Sequence, residues 1–204
     1  MIFITNRFPK QNIQTEIGRE FDFDLENNAS SNSVFYCERV GKKKYREIGS
    51  IDLLTRLKNS DYRQILLYIH GFSNLPEDVF SSASEFQSLC NKKKKNEVLV
   101  IPIVWPCDND MGIVQDYWDD QKAADQSAFS FARVLEKFLM WRSSEQHNPE
   151  QDPCFKRINI LAHSMGNRVF RGTLSAWKKY DLPNGLPLIF RNSFLVAADV
   201  VNET

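Results

Sequence analysis

Ser164 is the residue whose neighbours best suit it to chemistry. It stands in Ala162-His163-Ser164-Met165-Gly166, after the apolar run of Ile158, Ile160 and Leu161 and before a stretch in which Val169, Phe170, Leu174 and Trp177 recur at helical spacing. A strand pattern thus gives way to a helix pattern across one residue. Small residues two before and two after the serine suit a sharp reversal, because side chains at those positions face neighbouring backbone. The turn lifts the hydroxyl above the carboxyl edge of a sheet, beside a helix N-terminus whose free N–H groups favour developing negative charge. That arrangement suits nucleophilic attack by the hydroxyl, with the oxyanion held by main-chain amides. The non-chemical alternative is that Ser164 only caps the helix.

Other chemically capable residues also follow apolar runs. Ile65 to Ile69 leads into His70-Gly71-Phe72-Ser73-Asn74, Val98 to Val104 into Trp105-Pro106, and Ser193 to Ala198 into Asp199. Between the runs lie helical patterns: one after Asn74, a candidate cap with Pro76 in the first turn, running to Cys90, and a long one over Asp116 to Trp141. Strands near residues 65, 98, 158 and 194 separated by helices predict a parallel sheet, with reactive groups beyond the strands' carboxyl ends. His70, Trp105, Ser164 and Asp199 are therefore expected on one rim. Pro102 predicts a strand edge or local bulge. Upstream, Ile2 to Thr5, Ser33 to Val40 and a short strand near Tyr45 to Ile48 predict an antiparallel region. Its Gly41-Lys42-Lys43-Lys44 tip reads as a solvated turn, Asn27 to Asn32 as a loop, and Ile51 to Leu57 as a short helix. Arg142 to Lys156 reads as a polar loop containing His147.

A chain of 204 residues with 42% hydrophobic content suffices for one domain, 1–204, comprising a hairpin region at 1–60 and a core at 61–204. Lysine plus arginine (26) balance aspartate plus glutamate (26), which argues against nucleic acid or a charged membrane surface as partner. No apolar run approaches the roughly 20 residues of a membrane span, and the opening M-I-F-I-T-N-R-F-P lacks the basic leader of a secretory signal. Cys37, Cys90, Cys107 and Cys154 show no C-x-x-C pairing and read as free thiols, with the cytoplasm as default compartment. The absence of H-E-x-x-H, P-loop and G-x-G-x-x-G patterns leaves zinc, nucleotide and dinucleotide cofactors unsupported. Asp116, Asp119, Asp120 and Asp125 read as solvated residues of a helix start rather than metal ligands.

Taken in order, His70-Gly71-Phe72, Trp105-Pro106 and Ala162 to Asn167 resemble the H-G-F, W-P and A-H-S-M-G-N motifs of the α/β-hydrolase superfamily. They look closest to a bacterial esterase- and lipase-like branch of uncharacterised function, over about residues 61–204. The resemblance implies an α/β fold: a mostly parallel sheet flanked by helices on both faces, with antiparallel N-terminal strands. It further implies hydrolysis of a small ester or acyl substrate through an acyl-enzyme on Ser164, without a cofactor. The amides of Met165 and Phe72 would form the oxyanion hole, Gly71 would admit the close backbone approach, and His70, Trp105 and His163 would line the site.

The family's order is serine, acid, histidine, yet the only histidines, His70, His147 and His163, all precede Ser164. Asp199 is the leading acid, ahead of Asp181 and Glu203, or else it lines the pocket or holds a loop. His163 should point away from the nucleophile, His70 belongs to the oxyanion turn, and His147 reads as solvated. A sequence that stops just past a strand end predicts that C-terminal strands and a late histidine are missing. The alternative is a short form without turnover, a binding or interaction module that dimerises through an exposed edge near Phe194. Trp105, Tyr117 and Trp118 either line an acyl pocket or pack in the core.

Overall fold

A computed structural model describes residues 1–108, 112–147, 156–180 and 185–199. The strands are β1 (Ile2–Arg7), β2 (Glu20–Phe21), β3 (Ser30–Gly41), β4 (Lys44–Glu47), β5 (Gln64–Ile69), β6 (Val98–Val104), β7 (Arg157–His163) and β8 (Asn192–Val196). The helices are α1 (Gly49–Asn59), α2 (Pro76–Cys90), α3 (Ile113–His147) and α4 (Gly166–Tyr180). All the strands join one sheet in the order β2-β4-β3-β1-β6-β5-β7-β8. β1, β6, β5, β7 and β8 run parallel, and β3, β4 and β2 pair antiparallel at one end.

Strand periodicity sorts the core into two layers. In β5, Ile65, Leu67 and Ile69 face a cluster with Leu53 and Leu57 of α1, Phe131 and Phe138 of α3, and Val169 and Trp177 of α4. Leu66 and Tyr68 face the opposite cluster, with Val79, Phe80 and Ala83 of α2 and Phe3, Phe23 and Tyr45 of the antiparallel end. Helices therefore cover both faces. α4 approaches α3 closely because Gly172 has no side chain: a Cβ there would lie 2.8 Å from the Cβ of Ala128. An ion pair of Arg168 with Asp125, at 2.7 Å, spans the same two helices at the surface.

Four local expectations change. Pro102 lies neither at an edge nor in a bulge: it stands opposite Tyr68 in an unbroken β5–β6 register, within a strand flanked by β1 and β5. It is tolerated because β1 registers with β6 only at Ile103 and Val104, so no second ladder needs an amide at 102. α3 starts before Asp116 and continues through residues 142–147, which were expected to be loop. β3 begins at Ser30, inside the stretch read as a loop. Asn74 does not cap α2, whose N-cap is Leu75 with Pro76 following. Lys42, Lys43 and Lys44 do form an exposed hairpin turn, with Lys43 at φ 54°. Among the described residues, no helix is long and apolar enough to cross a membrane.

Candidate active site

β7 ends at His163, and the chain reverses through Ser164 into α4 at Gly166. Ser164 takes φ 50°, a left-handed conformation that costs a serine roughly 1–2 kcal/mol and persists only where the surroundings enforce it. Those surroundings are specific. The Ser164 N–H donates to Val196 O at 2.9 Å, and Ser164 O accepts the Asn167 N–H at 2.9 Å. The Asn167 side-chain amide donates to Ala162 O, Ser164 O and Val196 O, at 3.2, 2.9 and 3.2 Å. The last residue of the A-H-S-M-G-N motif thus ties the turn to β7 on one side and β8 on the other.

The turn after β5 stands against this elbow. A Cβ on Gly71 would lie 3.0 Å from Ser164 Cβ and 3.0 Å from His163 Nδ1, so glycine sets how closely the two loops meet. The side-chain amide of Asn74 donates to Gly71 O and Phe72 O, at 3.1 and 2.7 Å, closing the turn. Among the described residues, no hydrogen bond occupies the amides of Phe72 or Met165, and none engages the Ser164 hydroxyl. Ser164 is half-buried and Met165 fully buried.

His70 lies beneath the turn, wholly buried and stacked on Trp105 at a ring separation of 5.0 Å. Its Nδ1 is 2.9 Å from Gly71 O, and its Nε2 accepts the Trp105 N–H at 3.1 Å. Nε2 also lies 3.2 Å from Trp105 O, and a proton on Nδ1 directed at Gly71 O leaves Nε2 able to accept the Trp105 N–H on a neutral ring. Burial lowers the pKa to about 4; the bonds to Gly71 and Trp105 oppose this, while Arg7 and His163 add to it. Both ring nitrogens face main-chain groups, so His70 braces the turn. Trp105, fully buried, reinforces it by donating Nε1–H to His70 O at 2.9 Å.

The lowered pKa has a measurable consequence. The folded protein resists protonation of His70 while the unfolded chain accepts a proton near pH 6.5, so stability falls as pH drops through that value toward about 4. Between pH 6.5 and about 5 the loss due to His70 is expected to be about 2 kcal/mol. Urea midpoints should show it as a steeper acid loss in the wild type than in His70→Gln; parallel losses would contradict the assignment.

Asp199 reaches the same rim. Its N–H donates to Ser164 O at 3.4 Å, and its carboxylate accepts the Tyr117 hydroxyl at 3.1 and 3.0 Å. Tyr117 also packs edge-on against Phe72, at 5.7 Å. This one α3 side chain therefore spans Asp199 and the turn after β5, whereas its neighbour Trp118 is largely exposed. The ring of His163 packs against Gly71. Asp181 and Glu203, the other candidate acids, and Cys154 lie outside the described residues, as does the side chain of His147.

Two residues under the turn escape sequence reasoning. Asp120 is not solvated but wholly buried, and accepts from the Ser73 N–H at 3.0 Å, the Asp108 N–H at 3.1 Å and the Asn28 amide at 2.8 Å. Burial raises its pKa, and these donors oppose the rise. Asp116 is buried as well. Arg7, fully buried, donates to Cys107 O at 2.5 Å, Asp24 O at 3.0 Å and Leu25 O at 3.1 Å. Nothing in T-N-R-F-P signals that role, because the carbonyls come from distant loops. Among the described residues, no group of three His, Cys, Asp or Glu side chains is placed to hold a metal ion.

A parallel sheet with helices on both faces, an antiparallel N-terminal end and a strained serine elbow at the carboxyl edge defines the α/β-hydrolase class. Residues 49–204, well over half of the chain, match the family described as "Alpha/beta hydrolase of unknown function (DUF900)", and the chain belongs to that family. The match begins upstream of residue 61 and takes in α1. Neither a curated protein nor a solved structure matches the chain.

Proposed function

We propose that the protein is a serine-dependent carboxylic ester hydrolase of the esterase type, acting on a small ester or acyl substrate as one domain spanning residues 1–204. The observation that carries this reading is the pair of unbonded amides, Phe72 and Met165, beside a half-buried Ser164 held at φ 50°. Ser164 Oγ attacks the carbonyl carbon, and the two amides bind the oxyanion. Collapse expels the alcohol and leaves an acyl-enzyme, which water then hydrolyses. The hydroxyl proton passes to an imidazole from outside the described residues, oriented by Asp199, and from there to the leaving alkoxide. Buried free thiols at Cys37 and Cys107 suit a reducing compartment such as the cytoplasm.

A fluorophosphonate probe tests the reading. Covalent labelling that disappears in Ser164→Ala, with p-nitrophenyl ester turnover lost in parallel, is the expected result. Neither labelling nor turnover in the folded wild type would reject it. The second reading, a non-catalytic binding module, is favoured by one observation: among the described residues, no base is bonded to Ser164 Oγ. Under it, β8 pairs two copies edge to edge, since Phe194, Leu195 and Val196 are 47%, 60% and 43% exposed. Size-exclusion chromatography should then show a dimer that Leu195→Lys dissociates, and a monomer at all concentrations would count against it.

A further inference from the structure

Away from the Ser164 rim, a concavity with charged and hydroxyl groups on its wall lies at the antiparallel end of the sheet. A cavity of about 350 Å³ opens between β3, the start of α1 and the middle of α3. A trough of about 550 Å³ adjoins it along α1 and α3, and Ser50, Arg133 and Lys137 belong to the walls of both. β3 is separated from β7 by β1, β6 and β5, which places this cavity roughly 19 Å from the Ser164 strand at ordinary strand spacing.

The donors collected there are in excess. α1 begins with no side chain capping its first-turn amides, and Gly49 and Ser50 of that end are in the cavity wall. Lys137 Nζ lies 3.4 Å from Ser50 Oγ and 5.8 Å from the centroid of the Tyr36 ring. Arg133 engages only Nη2, with Asn32 O and with Ser130 Oγ at 3.5 Å, so its remaining N–H groups have no partner among the described residues. Tyr36, also in the wall, is 5% exposed, and its buried hydroxyl has no hydrogen-bond partner there. The carboxylate on this wall, Glu47, is already neutralised by Arg19 at 3.0 Å and bonded by the Glu16 N–H.

Two cations, two hydroxyls and an uncapped helix end call for a ligand rich in acceptor oxygens. The three terminal oxygens of a phosphate monoester match that donor set better than the two of a carboxylate. The trough adds a different chemistry, for Leu54, the exposed Met140 and Trp141 give it an apolar floor. Glu136 lines the trough but not the cavity, which keeps the charged end of a ligand in the cavity.

We infer that this is a binding site for an alkyl phosphate. The phosphate sits on Arg133, Lys137, Ser50, the Tyr36 hydroxyl and the first amides of α1, and the chain lies over Leu54, Met140 and Trp141. The site is independent of the hydrolase reading, because it shares no residue with the Ser164 rim and its test reads binding rather than turnover.

Isothermal titration with n-octyl phosphate, inorganic phosphate and n-octanol, below micelle-forming concentrations, distinguishes a phosphate-bearing lipid from free phosphate. Octyl phosphate should bind at least about tenfold more tightly than inorganic phosphate, and octanol should not bind measurably. Lys137→Met should weaken octyl phosphate by about tenfold or more, and Tyr36→Phe, which removes only the unpaired hydroxyl, by several-fold. Absent binding, equal affinity for the two phosphates, or unchanged affinity in both variants would overturn the assignment.

Discussion

Gly166→Val is expected to destabilise the protein by about 3 kcal/mol or more, at the upper end of overpacking costs, and to abolish labelling of Ser164. The cost does not come from backbone conformation, since Gly166 is the first residue of α4 and has no positive φ. A branched residue is only modestly disfavoured in a helix, so local preference does not supply it either. It comes from space. A Cβ at 166 would lie 2.5 Å from His70 O and 2.7 Å from Ile69 O, both main-chain atoms at the end of β5. β5 is held between β6 and β7 and cannot retreat, so α4 must move outward and take the elbow with it. Gly71→Ala makes an instructive contrast. Its Cβ would meet His163 Nδ1 at 3.0 Å, where the ring can turn aside, but also Ser164 Cβ at 3.0 Å and His163 O at 3.2 Å, which shift only with the elbow and by a few tenths of an ångström. That variant should lose less stability than Gly166→Val and still lose labelling rate. Urea unfolding together with timed probe labelling separates the two, and a Gly166→Val protein of wild-type stability would contradict the packing described.

Asp120→Ala should cost on the order of 4 kcal/mol, because it strands the Ser73 N–H, the Asp108 N–H and the Asn28 amide in the interior without an acceptor. The more telling variant is Asp120→Asn. One oxygen remains for Asn28 and Asp108, which both donate to Oδ1 in the wild type. The new NH₂ then faces the Ser73 N–H, donor against donor. Ser73 sits at φ 57°, directly after Phe72, and relies on that acceptor to hold the conformation. Asp120→Asn should therefore be the more stable of the two, yet label much more slowly than wild type, because the Phe72 amide is no longer aimed. A slow-labelling but folded Asp120→Asn identifies a positioning residue. If its labelling loss merely tracked its stability loss across temperature, Asp120 would be structural only.

These effects divide what local pattern reveals from what it hides. The apolar runs of β5, β6 and β7 and the helical recurrences between them follow from period and from glycine and proline punctuation, so their order and parallel arrangement were legible. The Ser164 elbow was legible for the same reason: its small residues answer a clash between positions close together in sequence. The caps were not. Asn74 matches a helix-cap pattern, but once Leu75 and Pro76 begin α2 its amide is free to close the turn below Phe72. Asp120 and Asp116 match a solvated helix start, but α3 presses that turn against the loops after β5 and β6, and the aspartates are buried.

By itself the sequence determined the core strands β5, β6 and β7 and the helical stretches between them, the sharp bend at Ser164, and the balance of charge, because each depends on residues within a few positions of one another. Only the tertiary structure decided that His70 is a neutral brace, that Tyr117 holds Asp199, that Asp120 holds the residue after Phe72 while Arg7 gathers the carbonyls of Asp24, Leu25 and Cys107, and that Tyr36 of β3 meets Lys137 of α3. Those roles rest on hydrogen-bond partners and burial supplied by elements far apart in the chain, and no local spacing records which carbonyl or amide will arrive opposite a given side chain.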